Sequence, residues 1–455
     1  MAVSTSHHDK NKQQQKKKTK RQEMVLNAEL AFHGIVHRVG GDATSVCDYV
    51  LRQRRQILRD FYALCDDDGA DGLFAEAQVR EGLLYVLEDV RQGIYVLFRG
   101  GRPRLVAVVC NILFENRWDT FPTTTAIEVC EKGALSSKNW WTSNGILCTT
   151  PADSHYGWGL GMIMDVFALL MDLATEEIYD AEFILNRRDL PMVRRDGQSC
   201  FADFVTCPPP RRHNPSLPVL SLFQGGEWRD LPLIEPTFVN EPLPEVPWDE
   251  KKRVVFFRGS CTGRGVTAET NPRIALATFS FEQNDETAFD CKLTGLSKRL
   301  KFTAKNVVEK DDLRNVPPLG ERVDMNRWSE YKFLVYVEGY SAALRMMPML
   351  SARSVIFFLQ NGGMSSTAPD LWFFDKLVFV DWYETFHTQK LSPTNANMIL
   401  VEDPSAISYF LPTLLAHDDI AKELADNAFC LWRELKSSRS SFFASTINQA
   451  KKKWL

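Results

Sequence analysis

The sequence predicts an α/β protein with a doubly wound parallel sheet, and two stretches carry that prediction. Residues 253–280, RVVFFRGSCTGRGVTAETNPRIALATFS, read as a buried strand, a loop with three glycines and a helix. Residues 331–359 repeat the pattern. There YKFLVYV is nearly all apolar, as a strand covered on both faces must be. Residues 341–352 read as a helix carrying Arg345 in its first turns, and 354–359 (SVIFFL) as the next buried strand. Pro348 is expected to kink that helix. Two consecutive strand–loop–helix units imply parallel strands, whose ligands bind at the carboxyl ends.

The first loop has the chemistry of an anion site. Pro272 suits a first helical turn because its missing N–H would be unpaired there, and Thr270 or Asn271 can cap that turn. The free N–H groups and the positive dipole end then face the loop, where Arg258, Arg264 and Arg273 gather. Neither Walker spacing nor a clean G-x-G-x-x-G is present, so the glycines alone leave phosphate binding and a purely structural turn both open.

The remaining elements follow in chain order. Residues 1–25 form a basic tail with a net charge of +5, which leaves −9 on the remainder of a chain totalling −4. A Lys/Gln-rich run without apolar residues is expected to be disordered. A solvated tail and a tail that touches nucleic acid, anionic lipid or an acidic partner both stay open. Residues 26–90 are helical by periodicity, in 55–66 and 79–90. The acidic run 66–72 between them lacks calcium-loop chemistry, because Gln78 stands where a bidentate Glu belongs. Trp140 and Trp141 suit either a sugar ring or a core. The apolar run 157–174 contains Asp165 and Asp172, which makes it a buried or amphipathic helix and not a membrane span. Residues 181–185 (AEFIL) are a short strand running into Asn186-Arg187-Arg188-Asp189-Leu190-Pro191. Pro191 extends Leu190, so Asp189 sits on a turn beyond a strand end, either paired with a neighbouring Arg or free for chemistry. A Pro-rich loop at 207–210 follows, and a final helix over 418–435 puts Ile420, Leu424, Ala428 and Leu431 on one face.

At 455 residues and 44% hydrophobic, the chain can bury two cores. The ten cysteines include no C-x-x-C pair, which argues for free thiols in a reducing compartment and against zinc. No apolar segment follows the basic start, so a cytoplasmic protein without a secretory signal or transmembrane segment is expected.

Four segments together resemble glycosyltransferase family 90, the capsule-associated xylosyltransferases and protein O-glucosyltransferases. They are FILNRRDLPMV (183–193), PVLSLFQGGEWRDLPLIEP (218–236), PWDEKKRVVFFRGS (247–260) and YKFLVYVEGYSAALR (331–345). They occur in the family's order, and the resemblance spans roughly residues 85–435. It is closest to a subset carried by large DNA viruses, which share Thr-Gly-x-Gly-x-Thr…Thr-Asn-x-Arg, here 262–273. The same subset has forms similar to 92–101, 114–119 and 140–145. Two departures stand out. Cys261 replaces a basic residue after Phe-Arg-Gly-Ser, and residues 397–401 replace an aromatic-rich strand.

The resemblance implies a GT-B enzyme with two Rossmann-like lobes, a cleft between them and extra N-terminal helices. Residues 26–245 would hold the helices and the acceptor-side lobe, 246–415 the nucleotide-sugar lobe, and 416–455 a C-terminal helix packing back on the first lobe. It implies inverting transfer of a hexose or pentose, glucose or xylose, from a UDP-sugar to a hydroxyl of a glycan or protein, with no cofactor and no metal. Asp189 would be the catalytic base. Arg258, Gly259, Ser260, Thr262, Arg273, Gly339, Ser341, Ala342 and Arg345 would bind the nucleotide sugar, with Arg345 on the diphosphate. The other expectation carried forward is a non-catalytic virion or scaffold protein of the same fold that binds a partner through its basic tail.

Overall fold

Two sheets frame the computed structural model, which describes residues 33–38, 43–63, 73–90, 92–110, 128–130, 147–149, 170, 178, 180–186, 191–198, 210–234, 241–263, 265–296, 301–302, 307–308, 316–339, 341–360, 370–380 and 395–454. Outside them lie Asp189, Arg264, Trp140, Trp141, the basic tail, the acidic run 66–72 and nearly all of 157–174 and 207–210.

The first half contributes β1 (His33–Arg38), α1 (Ala43–Ala63), α2 (Glu76–Leu84, continued by a π-helical turn over Tyr85–Val90), β2 (Gln92–Arg99) and β3 (Arg102–Cys110). A small antiparallel pair, β4 (Glu128–Cys130) and β5 (Leu147–Thr149), precedes β6 (Asp180–Asn186), β7 (Val219–Ser221), β8 (Phe223–Gln224) and β9 (Leu231–Pro232). The first sheet has the order β1-β3-β2-β6-β7-β9.

This sheet is mixed, unlike a Rossmann-like lobe. β2 pairs antiparallel with both β3 and β6, while β1–β3, β6–β7 and β7–β9 are parallel. The cause is local. Gly100 and Gly101 adopt φ of 60° and 71°, the left-handed pair that a tight two-residue hairpin requires, and they fold β3 straight back on β2. Strand β1 also falls inside the stretch whose periodicity reads as helical.

The second half contributes β10 (Lys252–Cys261), α3 (Pro272–Gln283), β11 (Phe289–Leu296), a short pair β12 (Lys301–Phe302) and β13 (Val307–Val308), then β14 (Tyr331–Val337), α4 (Met346–Ser351), β15 (Val355–Leu359), β16 (Asp370–Leu371), β17 (Ile399–Val401), α5 (Pro404–Ala416) and α6 (Asp418–Trp454). The order β11-β10-β14-β15-β17 is parallel throughout, the doubly wound sheet the sequence predicts. Burial alternates as strand geometry dictates. Leu334, Tyr336, Ile356 and Phe358 face one core, while Phe333, Val335, Phe357 and Leu359 face another with α3 and α5.

The core on the first of these faces is shared with the first sheet. It also takes Ile94 and Val96 of β2, Phe183 and Leu185 of β6, and Leu431, Phe443 and Ile447 of α6. The Phe183 and Phe443 rings meet edge-on with centroids 6.3 Å apart. Strand β8 pairs with β16 and joins the halves a second time.

Two helices differ from the sequence expectation. Helix α4 begins at Met346, five residues later than expected, so Pro348 falls in its first turn, where no N–H is needed and no kink arises. Helix α6 runs 37 residues, past the expected end at 435. Its distal half is Ser-rich, but Phe443, Ala444, Ile447 and Ala450 are buried at helical spacing, and that burial outweighs propensity.

A buried charge cluster locks the N-terminal helices to the first sheet. Glu182 of β6 accepts from Arg54 Nε of α1 (3.0 Å), Arg99 Nη2 (2.7 Å), Tyr95 Oη (3.1 Å) and the Leu73 amide (3.0 Å). Arg54 and Arg99 are 3% and 0% exposed. Removing one member of such a set strands the other charges without water. Glu182→Ala is expected to cost about 3–5 kcal/mol of unfolding free energy, measured as the urea midpoint. A cost within about 0.5 kcal/mol would show that the cluster does not hold the helices.

Candidate functional site

The strand β10, its loop and α3 are organised by one side chain. Asn271 is the N-cap of α3, at φ −140° and ψ 111°. Its Oδ1 accepts from the Arg273 and Ile274 amides (3.0 and 3.3 Å). Its Nδ2 donates to the Thr262 and Gly265 carbonyls (3.1 and 3.0 Å), so one residue caps the helix and closes the loop. Of the two cap candidates in the sequence, Asn271 fills the role. Thr270 Oγ1 instead accepts from the Val266 and Thr267 amides (3.2 and 3.1 Å).

The second loop, after β14, is packed against the first. A Cβ on Gly339 would lie 2.6 Å from Thr262 Oγ1, and one on Gly259 would lie 2.8 Å from the Phe257 ring. Glycine at 339 lets the two strand ends approach this closely, and glycine at 259 leaves room for the Phe257 ring and the Arg345 guanidinium. The Gly339 amide donates to the Ser341 carbonyl (3.0 Å) and the Ala343 amide to Tyr336 Oη (2.7 Å). This turn, in place of a helical one, carries Arg345 to the start of α4.

Between the two loops lies a cavity of about 1050 Å³. Arg258, Gly259, Ser260, Thr262, Arg273, Gly339, Ser341, Ala342 and Arg345 all line it, at the carboxyl ends of β10 and β14. The motifs had not indicated the opposite wall, built by Thr294 and residues 322–325 with Trp328. Trp328 is 2% exposed and its indole N–H has no protein acceptor among the described residues. Phe223 of β8 also reaches the cavity, so the first half of the chain contributes to it.

The arginines are not equivalent. Arg258 is consumed by the scaffold. Its Nη2 meets both Asp290 carboxylate oxygens (2.8 and 2.7 Å), Nη1 the Phe257 and Asp290 carbonyls (2.9 and 2.7 Å), and Nε the Glu321 carbonyl (3.2 Å). Arg273 donates to three strand-end carbonyls: Glu338 (2.8 Å), Ser260 (3.0 Å) and Val337 (3.0 Å). Burial, then the Arg345 charge, pushes it down to about 9. Arg345 donates Nη1 to the Arg258 carbonyl (2.5 Å) and stands over Phe257 and Trp328, with no carboxylate partner among the described residues. Burial lowers it too. Among the described residues lining the cavity, four arginines face one carboxylate, Asp324, and that excess of positive charge favours an anion there.

Asp189 lies outside the described residues. Both flanks are placed: β6 ends at Asn186, and Met192 and Val193 are buried in the core under α1 and α2.

One acid near the cavity has an unusual setting. Glu338 is 6% exposed, and burial followed by the Asp370 charge pushes its carboxyl up to about 7, against the pull of Arg273. As pH rises from about 4.5 to about 7, the unfolded chain releases this proton while the folded chain keeps it. The contribution of Glu338 to stability therefore falls across that window and levels off above it. Thermal melts of Glu338→Gln and the parent are expected to converge towards pH 4. At pH 8 the variant should be more stable by roughly 1–3 kcal/mol. Parallel curves would refute this assignment.

No family model matches the chain. "Uncharacterized protein 035R" of Invertebrate iridescent virus 3 is 23% identical over 372 residues, 70% of this chain and 33% of that protein. "Uncharacterized protein 027R" of Frog virus 3 is 25% identical over 63% of this chain and 34% of its own length. Protein O-glucosyltransferase 1 of Homo sapiens is 23% identical over 296 residues, 60% of this chain and 65% of that one. The chain thus spans about a third of the two viral relatives and just under two thirds of the human one. A solved GtfA/B complex aligns over 53% of this chain and 42% of its own, with a TM-score of 0.28 and 12% identity. The sequence similarities amount to a distant, glycosyltransferase-like relationship.

Proposed function

We propose that this chain is an inverting glycosyltransferase of the family 90 type. It would transfer glucose or xylose from a UDP-sugar to a hydroxyl of a glycan or protein, in a GT-B arrangement with the donor held on the second sheet. The observation that carries the reading is the meeting of nine motif residues, from two loops some eighty residues apart in the chain, around one arginine-lined cavity at parallel strand ends. The distant similarity to a protein O-glucosyltransferase points the same way.

In this reading Asp189 takes the proton of the acceptor hydroxyl as its oxygen attacks the anomeric carbon. Attack comes from the face opposite the diphosphate, so configuration inverts. A hydroxyl is a poor nucleophile until its proton has a destination, and one placed carboxylate supplies it. The electron pair of the broken glycosidic bond goes to the β-phosphate oxygen of UDP. Arg345, with donors left over from its carbonyl contact, meets that charge, and Arg273 behind it adds to the potential. Arg258 shapes the wall through Asp290. The reaction needs neither metal nor cofactor.

Release of UDP from a panel of UDP-sugars tests this. One donor is expected to turn over, and Asp189→Asn to abolish turnover while keeping UDP affinity; unchanged turnover would refute the base. Arg345→Ala is expected to weaken UDP binding about 10- to 100-fold by titration calorimetry, the range for one charge-assisted contact. An unaltered affinity would remove Arg345 from the diphosphate. If UDP neither turns over nor stabilises the protein thermally, the scaffold alternative replaces the enzyme.

A further inference from the structure

A buried carboxylate outside the cavity has a task that the proposed reaction has not yet used. Asp230 sits in the Glu227-Trp228-Arg229-Asp230 stretch before β9 and is 7% exposed. Its Oδ2 accepts from the Met192 amide (2.7 Å), and its Oδ1 from the Val193 amide (2.7 Å). Oδ2 also accepts from the Ser221 hydroxyl. Ser221 Oγ in turn accepts from Asn186 Nδ2 (2.8 Å). Asn186 is the last residue of β6, and Met192 and Val193 are buried core residues further along the chain. A single carboxylate therefore ties together both flanks of the short segment that carries Asp189.

The remaining contacts point the same way. Asn186 and Ser221 are partners in the β6–β7 register, both 0% exposed. The Arg229 amide donates to the Val193 carbonyl (2.8 Å), so the residue next to Asp230 is itself pinned to the segment Asp230 holds. Burial raises the Asp230 carboxyl to about 6, against the pull of its amide and hydroxyl donors. Three donors on one buried carboxylate form a rigid, directional joint, since each broken bond leaves a polar group without water.

We infer that Asp230 is a positioning residue for the proposed base: it holds Asn186, through Ser221, and Met192 and Val193, the described residues on either side of Asp189 in the chain. The inference rests on Asp189 being that base. Asp230 is not among the residues lining the donor cavity and lies just before β9 of the first sheet, whereas the nine motif residues lie on β10 or on the segments that follow β10 and β14 of the second. Its loss therefore acts on the chemical step and spares donor binding. A carboxylate that merely stabilised the fold would lower stability without that split.

The test uses the full chain with Asp230→Asn and Ser221→Ala, the second keeping both amide contacts in case the first folds poorly. Asp230→Asn presents an amide where the Met192 and Val193 N–H groups need acceptors. It is expected to lower kcat at least tenfold with donor KM and UDP affinity changed less than twofold. Ser221→Ala should act in the same direction with a smaller loss. Hydrogen exchange is expected to speed up at Met192 and Val193 while α3 and β14 keep the protection of the parent. Parental kcat in a folded Asp230→Asn, or kcat and UDP affinity falling together, would overturn the inference. If Asp189→Asn abolishes turnover but neither clamp variant touches kcat, the base reading stands and the clamp falls. If Asp189→Asn leaves turnover intact, the base reading fails first and the positioning role fails with it. If no donor turns over at all, exchange decides: protection at Met192 and Val193 equal to the parent's in both variants refutes the clamp.

Discussion

The site depends on one buried guanidinium. Arg273 leaves the first turn of α3 and donates to the carbonyls of Ser260, Val337 and Glu338, where β10 and β14 end. Parallel strands that stop at a cleft leave carbonyls without sheet partners, and a buried carbonyl without a donor is costly. Arg273 satisfies three of them at once. The helix, two strand ends and both loops are thereby fixed relative to each other, and a positive charge is left beside the cavity. Burial, and then the neighbouring Arg345 charge, push the Arg273 guanidinium below its ordinary value. Structure and anion preference share one cause.

Asn271 and Gly339 are consequences of the same constraint. For Arg273 to reach the strand ends, the loop after β10 must bring the start of α3 back beside them, which requires a cap that also closes the loop. Gly339 must present no side chain, because Thr262 occupies the space a Cβ would take. Residues that looked like a phosphate loop in the sequence are therefore needed for packing as well, and the two readings left open there are compatible.

The core shared between the sheets matters for the proposed chemistry. The faces of β2 and β6 and those of β14 and β15 converge on the same apolar cluster, and α6 lies along it. The end of β6 and the arginine-lined cavity thus belong to elements that are packed together, as the proposed transfer between two bound substrates requires.

The sequence by itself determined the second sheet and most of the cavity. Strands with unbroken apolar runs, a Pro–Asn helix start and glycines at strand ends are local features, written within a few residues and readable without contacts. Strand β14 falls on the residues its pattern marks, and the nine motif residues meet around one cavity. The rest is decided between distant residues. The Ser-rich end of α6 is helical because Phe443 and Ile447 find the shared core. The wall around Trp328 carries no motif, since it is assembled by β11 and the approach to β14. Arg258, Arg273 and Arg345 look alike in sequence. Their different roles come from Asp290, three main-chain carbonyls and Phe257 with Trp328, partners that only the folded chain brings within reach.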